Sequence, residues 1–257
     1  MTNQPATSGA GSRRVGRTIP ILASIAVVGI GTIVLIMATR VPASTAVLGT
    51  IGGALLTMAA VGWWCLKLTT KAAGHQPITL ATWITLARGW LGVLFAGVLT
   101  AGILAPSGRL RLYWLASGLF LVSTVLDAVD GAIARRLNSE TEFGGRLDTE
   151  IDGLVVAIGA TGAVIDGTVP MAFLAVGGAR YCFVAAGYLR RRRGLSCAEL
   201  EPRLRRKLNG GIINVTILIA IAPPTSGRLS WWLASVVTPV TVGFFLWDWL
   251  AVAGHRE

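Results

Sequence analysis

The stretch 127-DAVDGAIARRLNSETEFGGRLDTEID-152 decides how this chain is read. Seven of the 12 acidic residues fall inside it, in a chain whose charged residues make up only 14%. Asp127, Asp130, Gly131, Ala134 and Arg135 follow one another at steps of three, one, three and one, so a single helix carries all five on one face. Gly144, Asp148 and Asp152 follow at intervals of four and form a stripe on a second helix. Two facing stripes of this kind make a carboxylate cage. Acids inside apolar helices carry a desolvation cost that acids in solvated loops avoid, so their clustering points to chemistry and not to surface solubility.

The surroundings of this stretch are those of a membrane. Hydrophobic residues make up 53% of the 257 residues, and the mean hydropathy is +0.67. Those values exclude an ordinary soluble domain and indicate an all-α, polytopic membrane helix bundle. Spans are expected at about 18–39, 44–66, 78–104, 112–134, 146–165, 168–189, 209–223 and 230–252, the seventh starting nearer Arg205 than its apolar run suggests. Lys and Arg give the orientation. With the N-terminus in the cytoplasm, 17 of the 23 basic residues lie in inner segments, against Arg40, Arg109, Arg111 and Arg228 outside and Arg88 and Arg180 within helices. Both termini and the cage are therefore expected on the cytoplasmic side. The net charge of +11 is accounted for by these inner loops and their attraction to anionic lipid. No soluble module of a size to enter a nucleic-acid groove is present, so nucleic acid is not an expected partner. Cys65, Cys182 and Cys197 have no paired spacing and suggest neither a disulfide framework nor a zinc site.

Residues 1–17 are small, polar and basic and are expected to form a disordered cytoplasmic tail. Residues 18–66 are expected to form a two-helix N-terminal membrane extension without an acidic residue, its Gly49 and Gly53 four apart as close helix packing favours. The remainder, 67–257, carries the cage. Its longest inner loop, RRRRGLSCAELEPRLRRK at 190–207, holds eight basic residues.

The cage itself restricts the chemistry. Two unit charges about 4 Å apart at an effective dielectric near 20 interact by about 4 kcal/mol. Four clustered carboxylates therefore do not all remain ionised unaided; either some are protonated or cations neutralise them. Two divalent cations would balance the four charges, and hard oxygen ligands favour Mg²⁺ or Mn²⁺. Such ions also bridge a diphosphate. Gly131 and Ala134 leave room for a nucleotide to approach the backbone, Arg135 offers a planar cation for its phosphates, and Gly144 leaves similar room on the second helix. Arg180, ten residues before the Arg190 cluster, lies about as deep as Asp127. At that depth an arginine costs about 2.5–3.5 kcal/mol on insertion scales unless it faces a polar cavity, so it is expected to line one beside the cage.

The complete pattern, D-x2-D-G-x2-A-R-x8-G-x3-D-x3-D, resembles the signature of the CDP-alcohol phosphatidyltransferases, integral membrane enzymes that use a CDP-linked donor. Thr85-Leu86-Ala87-Arg88 is similar to the Thr-Leu-x-Arg found early in the first core helix of that family. The resemblance covers about Pro77 to the C-terminus and implies a six-helix core, to which residues 18–66 add two helices. It further implies that Asp127, Asp130, Asp148 and Asp152 hold two Mg²⁺ or Mn²⁺ ions. Asp148 and Asp152 would be the catalytic pair, with Asp152 also the base. Gly131, Ala134, Arg135, Gly144, Arg180 and Arg190 would bind substrate. The implied partners are CDP-diacylglycerol, a small polar alcohol, favoured as a phosphorylated one, and membrane lipids; a homodimer is compatible with this reading. The same signature also serves the transfer from a CDP-aminoalcohol to diacylglycerol. A transporter is the rival from another class, but it predicts inverted repeats and broken helices, and the chain has no internal repeat.

Overall fold

The computed structural model describes Gly52 and residues 80–104, 108–136, 142–195, 204–225 and 227–254. The expected tail and two-helix extension, 1–17 and 18–66, fall outside the described residues apart from Gly52. The elements are α1 (Leu80–Leu104), α2 (Arg109–Arg136), α3 (Glu142–Ile165), a 3₁₀ turn (Met171–Phe173), α4 (Leu174–Arg192), α5 (Leu204–Ile221) and α6 (Arg228–Gly254). No strand occurs among the described residues. This is the expected all-α, polytopic membrane bundle.

Its boundaries follow local chemistry. α3 ends in a glycine cap: Gly167 takes a left-handed φ of 73°, its N–H reaches the Val164 carbonyl at 3.0 Å, and the Thr168 N–H reaches that of Ala163 at 3.1 Å. Two bonds of this kind close the orphan carbonyls of a helix end. Pro170, extended at ψ 151°, then starts the 3₁₀ turn, so the next helix proper begins at Leu174 and not at the expected 168. At its far end the same glycine device recurs, with Gly194 at φ 73° and the Leu195 N–H bonded to the Arg190 carbonyl at 3.2 Å. α5 begins at Leu204, close to the expected start near Arg205.

Among the described residues, four stretches are long and apolar enough to cross a membrane: Ala87–Leu104, Arg109–Val129, Met171–Arg192 and Arg228–Ala253. α3 and α5 lack such a stretch because their first turns hold Glu142, Asp148, Glu150 and Asp152, and Arg205, Arg206 and Lys207. Those two helices carry polar cargo, and the bundle shelters it.

α1 packs against both α2 and α3, whereas α2 and α3 scarcely touch each other. α1 therefore lies against both helices that carry the acidic stripes. Small residues permit this closeness: a methyl at Gly92 would stand 2.9 Å from Val155, one at Gly89 3.2 Å from Ile151, and one at Gly162 would overlap Leu99. Without a hydrophobic drive between helices in lipid, such interlocking of glycine and branched side chains is what holds neighbours together. α3 also packs on α4 and α5, with Phe95, Phe120, Leu147, Ile151 and Ile217 in one buried cluster. At the end of the bundle away from the cage, Arg109 pairs with Asp166 and lies over the Tyr113 ring at 5.2 Å, tying the start of α2 to the end of α3.

Candidate active site

Arg88 is the centre of the site. It is 2% exposed, the largest fully buried side chain among the described residues. Its Nη1 donates to Asp127 Oδ1 of α2 at 2.5 Å and to Asp148 Oδ1 of α3, while its Nη2 stands 3.9 Å from Asp152 Oδ1. Three of the four aspartates thus converge on one guanidinium from a third helix. The geometry is possible because α1 runs between α2 and α3, and because Gly89 and Gly92 let Ile151 and Val155 of α3 come close on either side. An isolated arginine buried this completely is costly, and three carboxylates around it offset that cost.

The carboxylates are more open than the cation they surround. The side chains of Asp127 and Asp148 are each 39% exposed and that of Asp152 is 47% exposed. The carboxylates are thus partly accessible to a ligand. Asp127 lies nine residues before the end of α2 at Arg136, about 14 Å along the helix axis at 1.5 Å per residue.

Asp152 has a second neighbourhood. A cavity of about 690 Å³ opens beside it between α3, α4, α5 and α6, lined among others by Asp152, Gly153, Arg180, Arg205, Arg206, Asn209 and Asp248. Its walls are otherwise apolar, with Val156, Ile213, Phe244 and Phe245. Arg180 crosses Gly153 so closely that a methyl there would stand 2.5 Å from its Cδ, and it pairs with Glu150, two residues before Asp152. Arg206 donates from Nε to Asp248 Oδ2 at 2.8 Å, and Arg205 donates from Nη2 to Asp248 Oδ1. Asn209 and Thr241, both buried, join α5 to α6 through a 3.1 Å hydrogen bond from the threonine hydroxyl.

The residues expected from the sequence are distributed between these two neighbourhoods. Asp127, Asp148 and Asp152 meet at Arg88. Asp130, Gly131, Ala134 and Arg135 lie on the last two turns of α2, and Gly144 lies on the first turn of α3. Arg180 lines the cavity next to Asp152. Arg190 lies outside both neighbourhoods: its Nη2 donates to the Ala253 carbonyl at 2.8 Å, fastening the end of α4 to the end of α6. A cation at that carbonyl end also matches the negative pole of the helix.

Arg88, Arg205, Arg206, Glu150 and Asp248 were not among the candidate residues read from the sequence. For Arg88 a signal existed, an arginine on an otherwise apolar helix that follows a Thr-Leu-Ala run, but nothing local says which acids it meets. For Asp248 the signal was similar: it is the one acid among the apolar residues of α6. Arg205 and Arg206 were absorbed into the charge of the inner loop.

Hard carboxylate oxygens that converge on a cation from two helices are a donor set suited to divalent ions. No three His, Cys, Asp or Glu side chains among the described residues stand close enough to hold one ion. The donor chemistry nevertheless fits, since the side chains of Asp127, Asp148 and Asp152 all remain partly open.

A sequence model of the CDP-alcohol phosphatidyltransferase family matches residues 78–247, which is the span from the start of α1 to within α6. No curated protein matches the chain.

Proposed function

The chain belongs to the CDP-alcohol phosphatidyltransferase family, and on that premise we propose that it moves a phosphatidyl group from CDP-diacylglycerol to a small phosphorylated alcohol, releasing CMP. The family membership and the apolar helices make it an integral membrane transferase of phospholipid synthesis. The observation that carries the finer reading is the position of Asp152, which borders the aspartate cluster around Arg88 on one side and the arginine-lined cavity on the other. A donor diphosphate held at the aspartates and an acceptor held in the cavity would meet at this carboxylate.

In this reading the acceptor hydroxyl oxygen attacks the phosphorus bonded to the diacylglycerol oxygen. A new P–O bond forms, the bond to the bridging oxygen of the diphosphate breaks, and CMP leaves with that oxygen. Asp152 takes the hydroxyl proton, with Asp148 beside it on the same face of α3. Asp127, Asp130, Asp148 and Asp152 would hold two Mg²⁺ or Mn²⁺ ions, which polarise the diphosphate and stabilise the leaving phosphate. Gly131, Ala134, Arg135 and Gly144 supply the nucleotide side: the small residues admit the base and ribose to the backbone, and Arg135 contacts phosphate. Arg88 holds Asp127 and Asp148 in place from behind. The basic residues Arg135, Arg136 and Arg146 that flank the aspartates would put this opening on the cytoplasmic face, where a water-soluble acceptor can enter.

An anionic acceptor explains why three arginines line the cavity. A serine or lipid acceptor would leave Arg180, Arg205 and Arg206 without a ligand to recognise. The deciding experiment offers the purified protein CDP-diacylglycerol with a panel of phosphorylated and uncharged alcohols and follows CMP. CMP release only with uncharged alcohols, or only from a CDP-aminoalcohol with diacylglycerol, refutes the reading.

The arginine and its glycine neighbour provide a sharper measure. Arg180→Ala should raise the KM for the acceptor about tenfold or more, the scale of one charge-assisted contact, and leave the donor KM within about twofold. Arg180→Lys should recover only part, because a point charge does not reproduce a planar fork. Gly153→Ala should act in the same direction without removing a charge, since its methyl would stand 2.5 Å from Arg180 Cδ and push the side chain off Glu150. An effect of either variant on donor KM alone would place Arg180 on the nucleotide side.

A further inference from the structure

One charge cluster in the cavity has no part in the transfer chemistry. Asp248 of α6 is 6% exposed and faces two arginines of α5, Arg206 through Nε at 2.8 Å and Arg205 through Nη2. Within this cluster, one carboxylate against two guanidinium groups leaves a single net positive charge; the adjacent Arg180–Glu150 pair adds none, and Asp152 at the cavity's edge faces Arg88 of the aspartate cluster. The carboxylate lies deeper than its partners: its side chain is 9% exposed, against 28% for Arg205 and 30% for Arg206. Each guanidinium gives Asp248 one nitrogen, and a guanidinium carries five N–H groups, so most of the donors are left for a ligand. Arg205 is also held from the side, 5.5 Å from the Phe244 ring centre.

In a largely apolar cavity, one charge more or less alters the preferred anion far more than it would in water. The issue is pressing here because Asp152 borders both the cavity and the aspartate cluster, so a diphosphate held at the aspartates through divalent ions would lie within reach of the cavity's arginines. A cavity with two uncompensated arginines would compete for it.

We infer that Asp248 is a charge-setting specificity residue: by neutralising one of its two arginines, it lets the cavity accept a singly phosphorylated small molecule and reject a diphosphate. The inference rests on the anionic-acceptor reading above. Asp248 touches neither substrate nor the reacting atoms, and acts through Arg205 and Arg206.

The test measures binding of inorganic phosphate and inorganic pyrophosphate to the full chain in detergent micelles, at constant ionic strength and in excess chelator, so that metal ions at the aspartates do not contribute. The wild-type protein should bind phosphate at least as well as pyrophosphate. Asp248→Asn should tighten pyrophosphate about tenfold or more while changing phosphate less than about threefold, reversing the preference. The double variant Arg205→Gln with Asp248→Asn restores a single net charge, now carried by Arg206 alone, and should return the wild-type preference. Arg206→Gln alone removes the net charge and should abolish phosphate binding. An unchanged ratio in Asp248→Asn, with phosphate binding still lost in Arg206→Gln, overturns the inference and leaves the anionic acceptor standing. If Asp248→Asn does not fold, a double variant that prefers pyrophosphate overturns the inference just as surely. Phosphate binding indifferent to Arg206→Gln overturns both.

Discussion

Asp127→Asn, Asp130→Asn, Asp148→Asn and Asp152→Asn should each lower CMP release at least about a hundredfold, the scale of losing one positioned acid–base or ligand group. The substitution keeps side-chain shape and removes one charge, so the loss is electrostatic. Asp127 and Asp148 share one nitrogen of Arg88, and either variant leaves Arg88 with the other partner. The variants should therefore remain folded, which size-exclusion elution and thermal unfolding would verify before turnover is measured. Asp152→Asn should have the clearest signature, because it loses the proton acceptor as well as a ligand. Full CMP release by any of the four in excess chelator would sink the carboxylate mechanism.

Arg88→Met should produce the largest loss of stability. Arg88 is almost completely buried and its two carboxylate partners come from different helices, so its removal leaves Asp127 and Asp148 facing each other without a cation. Removing one partner of a fully buried pair costs about 3–5 kcal/mol, and because the two aspartates are each 39% exposed, solvent screening should hold the loss below that range. The expected result is a lower midpoint of thermal unfolding in detergent, with Arg88→Lys recovering less than half of the loss, since an ammonium cannot serve both aspartates in a planar fork. Combining Arg88→Met with Asp148→Asn should recover more, as it removes the repulsion. An Arg88→Met protein as stable as wild type would mean that the aspartates do not depend on this cation.

Much of the architecture is legible in the sequence because it is local. Apolar runs about twenty residues long predict helices, and glycines such as Gly167 and Gly194 end them through bonds that reach only five residues back. The intervals in the stretch from Asp127 to Asp152 place the acids on helical faces whatever the neighbours do. Where the expected span 168–189 missed the helix start, the reason was also local: Pro170 inserts a 3₁₀ turn first.

What the sequence by itself determined is which residues share a helical face, and with it the carboxylate stripes, the membrane class and the family pattern. Only the tertiary structure decided what those stripes meet. Arg88 pairs with acids 39 and 60 positions away, and Arg205 and Arg206 meet Asp248 across 43 and 42 positions. No periodicity encodes such contacts. They exist because Gly89, Gly92 and Gly153 let particular helices approach at particular heights, and because a buried charge in an apolar bundle is stable only where another helix brings it a partner.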